Sequence, residues 1–201
     1  MPIETEIKFR TDKQTWHDLK TLYQADHQVH HIEHQTNQYY NTAGNELNDC
    51  RIGLRLRILD NQSILTIKRD TKDAHKREEI EETYPGHLDT LPPDSPALQA
   101  LLDEIGTTYD QIVPLVMLRA ERTVFLLDRP TFQAEVCFDD VSILDVCKEH
   151  KLYEIEFELL TGSEQDLLNT VAHFRDTYGD RIEQSAISKL QYALELTGCQ
   201  T

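Results

Sequence analysis

Charged side chains recur at every second residue in several short segments of this 201-residue chain. Glu4, Glu6 and Lys8 have this spacing near the N-terminus, and Arg55 and Arg57 have it further along. Carboxylates two residues apart on a strand stand about 7 Å apart, which suits one hydrated Mg²⁺ or two divalent ions. Arginine and lysine on facing strands would hold phosphate oxygens. These residue types together indicate a phosphoryl-transfer site, in which metal-bound carboxylates and basic side chains share a polyphosphate.

The net charge of −16 conceals a basic segment. The chain has 20 Lys and Arg residues against 36 Asp and Glu residues, a balance that argues against nonspecific binding to nucleic acid or to anionic membranes. Residues 51–77, however, contain eight basic and three acidic residues, a local charge of +5 that leaves −21 for the remainder. A short polyphosphate in a basic interior, with metal ions screening the carboxylates, is compatible with this division.

Eight segments are predicted to be β-strands, and several of them have the two-residue period of a strand with charged residues on one face and apolar residues on the other. They are approximately residues 3–9, 37–42, 53–58, 63–69, 77–84, 116–127, 132–139 and 152–160. Amphipathic helices are predicted after Thr11 or Asp12, from Ser95 to Gly106, from Ser163 to Gly179 and over 185–197. A charged strand face is normally solvated, but its repetition on successive strands suggests a sheet that curls around a polar interior. We therefore predict one α+β domain over residues 1–201.

The order of the motifs resembles that of the CYTH superfamily, the triphosphate tunnel metalloenzymes. Glu4-x-Glu6-x-Lys8 resembles the ExExK signature of this family. The later matches follow in order: GLRLR at 53–57, LTIK at 65–68, REE at 77–79, Arg122, Glu135-x-x-x-Asp139, Glu154-Ile-Glu156 and Ser188-Lys189. The resemblance implies a closed eight-stranded antiparallel β-barrel, or tunnel, with flanking helices, so the charged strand faces would point inward.

The resemblance also implies roles for the charged residues. Substrate binding would fall to seven basic residues: Lys8, Arg55, Arg57, Lys68, Arg77, Arg122 and Lys189. Mg²⁺ or Mn²⁺ would be held by five acidic residues: Glu4, Glu6, Asp139, Glu154 and Glu156. Glu4, Glu6 and Lys8 are the expected catalytic residues, and Glu79 and Glu81 are further candidates.

The motif order is most similar to that of the bacterial inorganic triphosphatase branch. It implies a metal-dependent hydrolase that cleaves the terminal phosphoanhydride of inorganic triphosphate or of a related triphosphate compound. The alternatives are a class IV-type adenylyl cyclase, a thiamine triphosphatase, and a non-catalytic domain that binds polyphosphate or nucleotide. No base-recognition pocket of the kind a cyclase needs is evident in the sequence. Many proteins of this branch carry a CHAD domain after the tunnel domain, so such a partner is expected in a longer parent chain.

Other charged residues are interpreted as solvated or structural. Five of them are expected at the surface or in a loop: Arg51, Arg69, Lys72, Lys76 and Glu158. Arg119 lies three residues before Arg122, so strand alternation places the two on opposite faces.

His27, His30, His31 and His34 form a cluster between a predicted helix and a predicted strand. No cysteine or second histidine group completes a zinc-binding set, so we expect a polar loop or helix end there. The four cysteines lack CxxC spacing, and no apolar run reaches the length of a membrane span. Without a signal-peptide pattern, these features predict reduced thiols and a cytoplasmic protein.

Overall fold

The computed structural model describes residues 3–73, 75–144 and 149–198. Within these residues the chain forms nine β-strands and five α-helices. The strands are β1 (Ile3–Thr11), β2 (Val29–Thr42), β3 (Ile52–Leu59), β4 (Gln62–Asp70), β5 (Lys76–Pro85), β6 (Ile112–Arg129), β7 (Phe132–Leu144), β8 (Glu149–Gly162) and β9 (Glu183–Ser185). The helices are α1 (Lys13–Asp26), α2 (Glu46–Asp49), α3 (Pro96–Ile105), α4 (Glu164–Tyr178) and α5 (Lys189–Thr197).

Eight of the strands form a closed antiparallel barrel, which confirms the predicted fold. The hydrogen-bonded order is β5-β4-β3-β2-β6-β7-β8-β1, and β1 closes the ring by pairing with β5 through residues 3–5. The short strand β9 is an addition. It pairs with β1 at residues 8–10, beyond the stretch of β1 that pairs with β5. Closure gives the sheet one inner and one outer face.

The strand register places charged residues side by side on the inner face. Lys8 of β1 lies opposite Glu156 of β8, and Arg122 of β6 lies opposite Asp139 of β7. Because directly opposite residues point to the same side of a sheet, charges from four strands converge in the interior. Arg119 is exposed on the outer face of β6, as the alternation predicts.

The outer face is apolar and is covered by helices. Phe9, Phe138 and Phe157 of the strands are buried with Trp16 of α1 and Leu167 of α4. A second buried cluster joins α3 to the outer face of β3 and β4. Each fully buried side chain of this kind contributes roughly 1.5–3 kcal/mol. The stabilisation from this outer core can therefore offset the free-energy cost of burying charges in the interior.

Helix α5 packs inside one end of the barrel. Leu190 and Ala193 of α5 belong to the same apolar cluster as Leu118, Val141 and Leu152, which lie on the inner face. The interior is therefore sealed by apolar contacts at this end and lined by charges beyond it.

The helix boundaries follow the predicted capping residues. Asp12, Ser95 and Ser163 each accept a hydrogen bond from a backbone N–H in the first turn of the helix that follows. Gly106 ends α3 with φ = 69°, in the left-handed region that favours glycine.

Strand β2 departs most from the sequence-based prediction. It begins at Val29, so it includes His30, His31 and His34, whereas His27 ends α1. The polar-loop interpretation of these three histidines was therefore wrong. The partner strand β6 is long enough to pair along almost the whole of β2, and this pairing overrides the weak strand preference of the segment.

The predicted helix over 185–197 was wrong at its start. Strand β9 occupies 183–185, and α5 begins only at Lys189, after its capping residue Ser188. Lys76 is the first residue of β5 rather than part of a loop, whereas Lys72 is exposed between β4 and β5.

Two of the four cysteines, Cys147 and Cys199, lie outside the described residues. Cys50 is exposed and Cys137 is buried, and both are free thiols. Among the helices of the described ranges, none is long and apolar enough to cross a membrane.

Candidate active site

The barrel interior contains a cavity of about 890 Å³. All seven basic residues predicted to bind substrate line it: Lys8, Arg55, Arg57, Lys68, Arg77, Arg122 and Lys189. Among the predicted metal ligands, Glu4, Glu6 and Glu156 also line the cavity, whereas Asp139 and Glu154 are buried behind its surface. The barrel thus gathers side chains from both ends of the sequence around one chamber.

On one side of the cavity, carboxylates and cations pair with one another. This paired cluster consists of Asp139, Glu154, Glu156, Lys8, Arg122 and Lys189. The Lys189 ammonium lies 3.0 Å from Asp139, 2.8 Å from Glu154 and 2.5 Å from Glu156. Arg122 donates hydrogen bonds of 2.8 and 2.7 Å to Asp139 and also contacts Glu156.

These contacts hold the paired cluster in its ionised state. Burial opposes the charge on Glu156, but Lys189 and Arg122 hold the pKa of this carboxyl well below its ordinary value. Burial opposes the charge on Asp139 too, and the same two cations lower its pKa. The surrounding carboxylates raise the pKa of Lys189 well above its ordinary value, against the effect of burial. The charges of this cluster therefore satisfy one another near neutral pH.

Arg55 and Arg57 of β3 form an arginine pair four strands away from β8, on the opposite side of the barrel. Arg57 donates a 3.2 Å hydrogen bond to Asn37, and no carboxylate among the described residues forms an ion pair with it. Burial, Arg55 and Arg122 lower the pKa of Arg57 to about 10. Arg55 donates to Thr66 at 3.1 Å, but its buried Nε has no hydrogen-bond partner within the described chain. The arginine pair is therefore electrostatically suited to an anion.

A third group, the acidic cluster, contains Glu4, Glu79 and Glu158 around Lys68. The Lys68 ammonium lies 2.7 Å from Glu4 and 3.3 Å from Glu79. Burial raises the pKa of Glu79 to about 7, and repulsion from Glu4 adds to it against the attraction of Lys68. Burial and Glu4 likewise raise the pKa of Glu158 to about 8. One ammonium cannot balance three carboxylates, and Glu79 and Glu158 therefore retain protons near neutral pH.

Two residues of β5 complete the cavity. Arg77 lies 3.1 Å from Asp70 and donates a 3.1 Å hydrogen bond to the backbone oxygen of Ala186, just before α5. Glu81, a further candidate from the sequence, lies 3.6 Å from Arg55. Both residues therefore share the inner face, as the alternation of β5 predicts.

The structure corrects two expectations about solvated charges. Glu158 does not point outward: it shares the inner face of β8 with Glu154, because the alternation between them is unbroken. Arg69 is not simply solvated, since it donates two 2.6 Å hydrogen bonds to Glu104 of α3. Arg51 is exposed as expected, and it also borders the cavity.

Two charged residues of the inner face were missed. Arg10 continues the inward series of β1, and its Nε lies 3.0 Å from Glu154. The alternation of β1 could have identified Arg10. Glu33 lines the cavity and is hydrogen-bonded to His31 and Gln35. Nothing pointed to Glu33, because its segment was not predicted to be a strand.

The three groups together could bind a polyanion and a divalent cation. The arginine pair can hold phosphate oxygens, and the acidic cluster offers the carboxylate oxygens that hard divalent cations prefer. The paired cluster supplies cations that its own carboxylates keep in place. A polyanion and a hard cation could therefore bind together in this one cavity.

The chain is similar in sequence to a known protein. An inorganic triphosphatase of Haemophilus influenzae is 29% identical over 157 residues, which are 73% of this chain and 44% of that protein. This chain therefore spans less than half of that relative's length.

Solved structures resemble the whole chain. A Hippeastrum protein named as an adenylyl cyclase candidate with a dominant triphosphatase activity superimposes with a TM-score of 0.70 at 22% identity, covering 97% of this chain and 96% of that one. A Bacillus halodurans protein named as an adenylate cyclase candidate gives a TM-score of 0.70 at 21% identity, covering 96% and 98%. At these identities the likeness shows a shared fold. The CYTH domain family model matches residues 2–191, and the chain therefore belongs to the CYTH domain family.

Proposed function

We propose that this protein is a metal-dependent triphosphatase that cleaves the terminal phosphoanhydride of inorganic triphosphate. One observation carries the proposal: a single cavity holds an excess of cationic charge at the arginine pair and an excess of acidic charge at the acidic cluster. Among the described residues, the arginine pair has one carboxylate contact, between Arg55 and Glu81 at 3.6 Å, and the carboxylates of the acidic cluster share the Lys68 ammonium. A triphosphate bound together with a divalent metal ion would supply both kinds of charge. Buried charges without partners are costly, so both groups gain from such a ligand.

The basic residues divide into two roles under this proposal. Arg55 and Arg57 would bind phosphate oxygens directly, because planar guanidinium groups make bidentate contacts with phosphate. Lys8, Arg122 and Lys189 would present a fixed positive surface on the other side, since carboxylates already hold them in place. Lys68 and Arg77 would contact the anion from β4 and β5.

The carboxylates differ in how readily they could coordinate a metal ion. The oxygens of Asp139, Glu154 and Glu156 lie within 4.8 Å of one another, which is close enough to share an ion. The Lys189 ammonium, however, is already within 3.0 Å of all three. We therefore assign Asp139 and Glu154 to holding the cations, which replaces their predicted metal-binding role.

The acidic cluster fits a divalent cation better. Burial and Glu4 raise the pKa values of Glu79 and Glu158, and a cation would relieve the repulsion from Glu4. We assign Mg²⁺ or Mn²⁺ to the acidic cluster, with Glu6 of β1, which lies opposite Glu158 of β8, as a further ligand. Glu156 also lines the cavity, but Lys189 and Arg122 already contact it. A metal ion bound there would withdraw charge from the phosphate oxygens and lower the pKa of a water molecule.

Hydrolysis needs an attacking water, a proton acceptor and a stabilised leaving group. The water oxygen would bond to the terminal phosphorus as the bridging P–O bond breaks, which gives orthophosphate and pyrophosphate. An ionised carboxylate of the acidic cluster would accept the proton of the water as general base. The lysine and arginine side chains would stabilise the charge on the leaving pyrophosphate.

The comparisons support this reaction class. The curated relative is named an inorganic triphosphatase, and the Hippeastrum protein is named for its dominant triphosphatase activity. Because this chain spans 44% of the curated relative, the activity of the full relative is carried over here as part of the proposal.

A second candidate substrate is an organic triphosphate such as ATP or thiamine triphosphate. Besides the charged residues, the cavity is lined by the polar side chains of Asn45, Asn48 and Gln191. These side chains could border a group attached to the triphosphate. Their presence favours hydrolysis of an organic triphosphate as the alternative, or its cyclisation by a nucleotide cyclase.

The test is phosphate release from inorganic triphosphate, ATP and thiamine triphosphate with Mg²⁺, with Mn²⁺ or with EDTA. We expect inorganic triphosphate to be the best substrate and EDTA to abolish release. Cyclic AMP with pyrophosphate as products from ATP would support the cyclase instead. Stabilisation by triphosphate without turnover in any metal would support a binding domain and contradict the proposed enzyme.

A further inference from the structure

Arg10 is the fourth inward-facing residue of β1, after Glu4, Glu6 and Lys8. It does not line the main cavity, and nothing in the proposed reaction uses it directly. Its side chain nevertheless contacts three separate parts of the barrel interior. The proposed reaction therefore does not account for the contacts of Arg10.

The contacts of Arg10 reach β8, the turn before α5, and α5 itself. Its Nε donates a 3.0 Å hydrogen bond to Oε1 of Glu154, which is fully buried. One terminal nitrogen lies 3.1 Å from the backbone oxygen of Ile187 and 3.5 Å from that of Ser188. The guanidinium carbon lies 4.3 Å from the centroid of the Tyr192 ring. A planar guanidinium can make these contacts together, whereas a lysine ammonium cannot.

The contacts of Arg10 lie on both sides of Lys189 in the sequence. Ser188 caps α5 by accepting a hydrogen bond from the backbone of Gln191, and Lys189 is the first residue of the helix. Tyr192 lies one turn further on, so Arg10 holds the chain on both sides of Lys189. Arg10 and Lys189 also share Glu154, bound through Oε1 and Oε2 respectively.

We propose that Arg10 is a positioning residue that fixes the start of α5 and thereby places the Lys189 ammonium for binding the triphosphate. The simpler alternative is that Arg10 only neutralises Glu154. The two readings differ in one respect: a neutralising cation could be replaced by lysine, whereas a positioning residue acts through the Ile187, Ser188 and Tyr192 contacts as well.

The test rests on the proposed function, because it measures tripolyphosphate binding, and it is made by calorimetry in EDTA. Arg10→Ala, Lys189→Met and the double variant are compared with wild type. We expect Arg10→Ala to weaken binding about tenfold and to have little further effect in the Lys189→Met background. Equal losses in both backgrounds would overturn the proposal, as would unchanged binding in Arg10→Ala. A wild-type protein that binds tripolyphosphate neither in EDTA nor with Mg²⁺ would instead contradict the proposed function.

Two further variants keep the proposal testable if Arg10→Ala does not fold. Arg10→Lys retains the charge beside Glu154 but loses the other contacts, so we expect most of the loss in affinity to remain. Full rescue by lysine would support neutralisation alone and overturn positioning.

Tyr192→Leu removes only the ring, and we expect a loss in affinity of about two- to threefold that disappears in the Lys189→Met background. Unchanged affinity in Tyr192→Leu would count against the proposal. Arg175→Ala, an exposed helical arginine, is the matched control.

Discussion

The paired cluster and the acidic cluster contain the same kinds of side chain and behave in opposite ways. In the paired cluster, Glu156 has Lys189 and Arg122 as partners, and its pKa is well below the ordinary value. In the acidic cluster, Glu79 and Glu158 share one ammonium with Glu4, and their pKa values rise to about 7 and about 8. The two clusters are also close in the structure, since Glu156 and Glu158 are two residues apart on the inner face of β8. Burial is therefore not what separates them; the number of cations is.

This difference indicates which carboxylates serve the fold and which serve a ligand. A buried charge is tolerated when partners satisfy it, and the paired cluster provides its own partners. The acidic cluster and the arginine pair each leave charge uncompensated, in the same cavity and with opposite sign. Such an arrangement gains stability from a bound anion and a bound cation. Variants in each cluster test this difference.

The largest effect is expected from Glu4→Gln in the acidic cluster. This change removes the charge that both raises the neighbouring pKa values and, in our proposal, binds the metal ion. We expect phosphate release from inorganic triphosphate to fall by about 10³-fold or more. Glu121→Gln, an exposed outer-face residue, is the control and should retain activity. Activity retained in Glu4→Gln would remove the acidic cluster from the mechanism.

A smaller effect is expected from Arg57→Ala in the arginine pair. Loss of a guanidinium that has no carboxylate partner among the described residues should lower kcat/KM by about 10²-fold with little loss of stability. Arg57→Lys should restore only part of the activity, because lysine lacks the bidentate geometry. Steady-state kinetics and thermal melting measure both quantities, with the exposed Arg119→Ala as control. Strong destabilisation with unchanged kcat/KM would assign Arg57 to the fold instead.

The smallest effect is expected in the stability of the metal-free protein as pH changes. The folded-state pKa of Glu158 is about 8 against an ordinary value of 4.5, so its contribution to stability is present below pH 4.5 and is lost as pH rises through 8. Glu158→Gln removes this loss and should raise the melting midpoint at pH 8 by roughly 3 °C or more. The gain should shrink at pH 5.5.

A Glu158→Gln variant that melts lower than wild type at pH 8 would show that the ionised carboxylate stabilises the metal-free fold. That result would contradict the contrast between the clusters. In the presence of Mn²⁺, Glu158→Gln should lower the melting midpoint instead of raising it, because the ionised carboxylate then stabilises the metal-bound protein.

The barrel and the set of cavity cations could be predicted because alternation identifies the face of each residue. Arg55, Arg57 and Lys68 all face inward for this reason. Alternation says nothing about pairing, however, because register and barrel closure decide which residues meet. Asp139 was predicted to bind metal, which stays a prediction, and its two hydrogen bonds from Arg122 follow from the register that sets these residues opposite each other.

The first half of β2 and the start of α5 were missed for a related reason. The histidine-rich segment has a weak strand preference, and it is a strand because β6 pairs with it. The turn before α5 is held by Arg10 and Arg77, which are distant in sequence. Long-range contacts of this kind leave no local pattern.

Calorimetric titration with Mg²⁺ or Mn²⁺ at pH 7.5, in two buffers of different ionisation enthalpy, tests directly whether the acidic cluster binds the metal ion. We predict binding with proton release, because the cation displaces protons held by Glu79 and Glu158. Both the binding and the proton release should disappear in Glu4→Gln and persist in Glu121→Gln. Binding without proton release, or binding that persists unchanged in Glu4→Gln, would contradict the claim that the acidic cluster is the metal site.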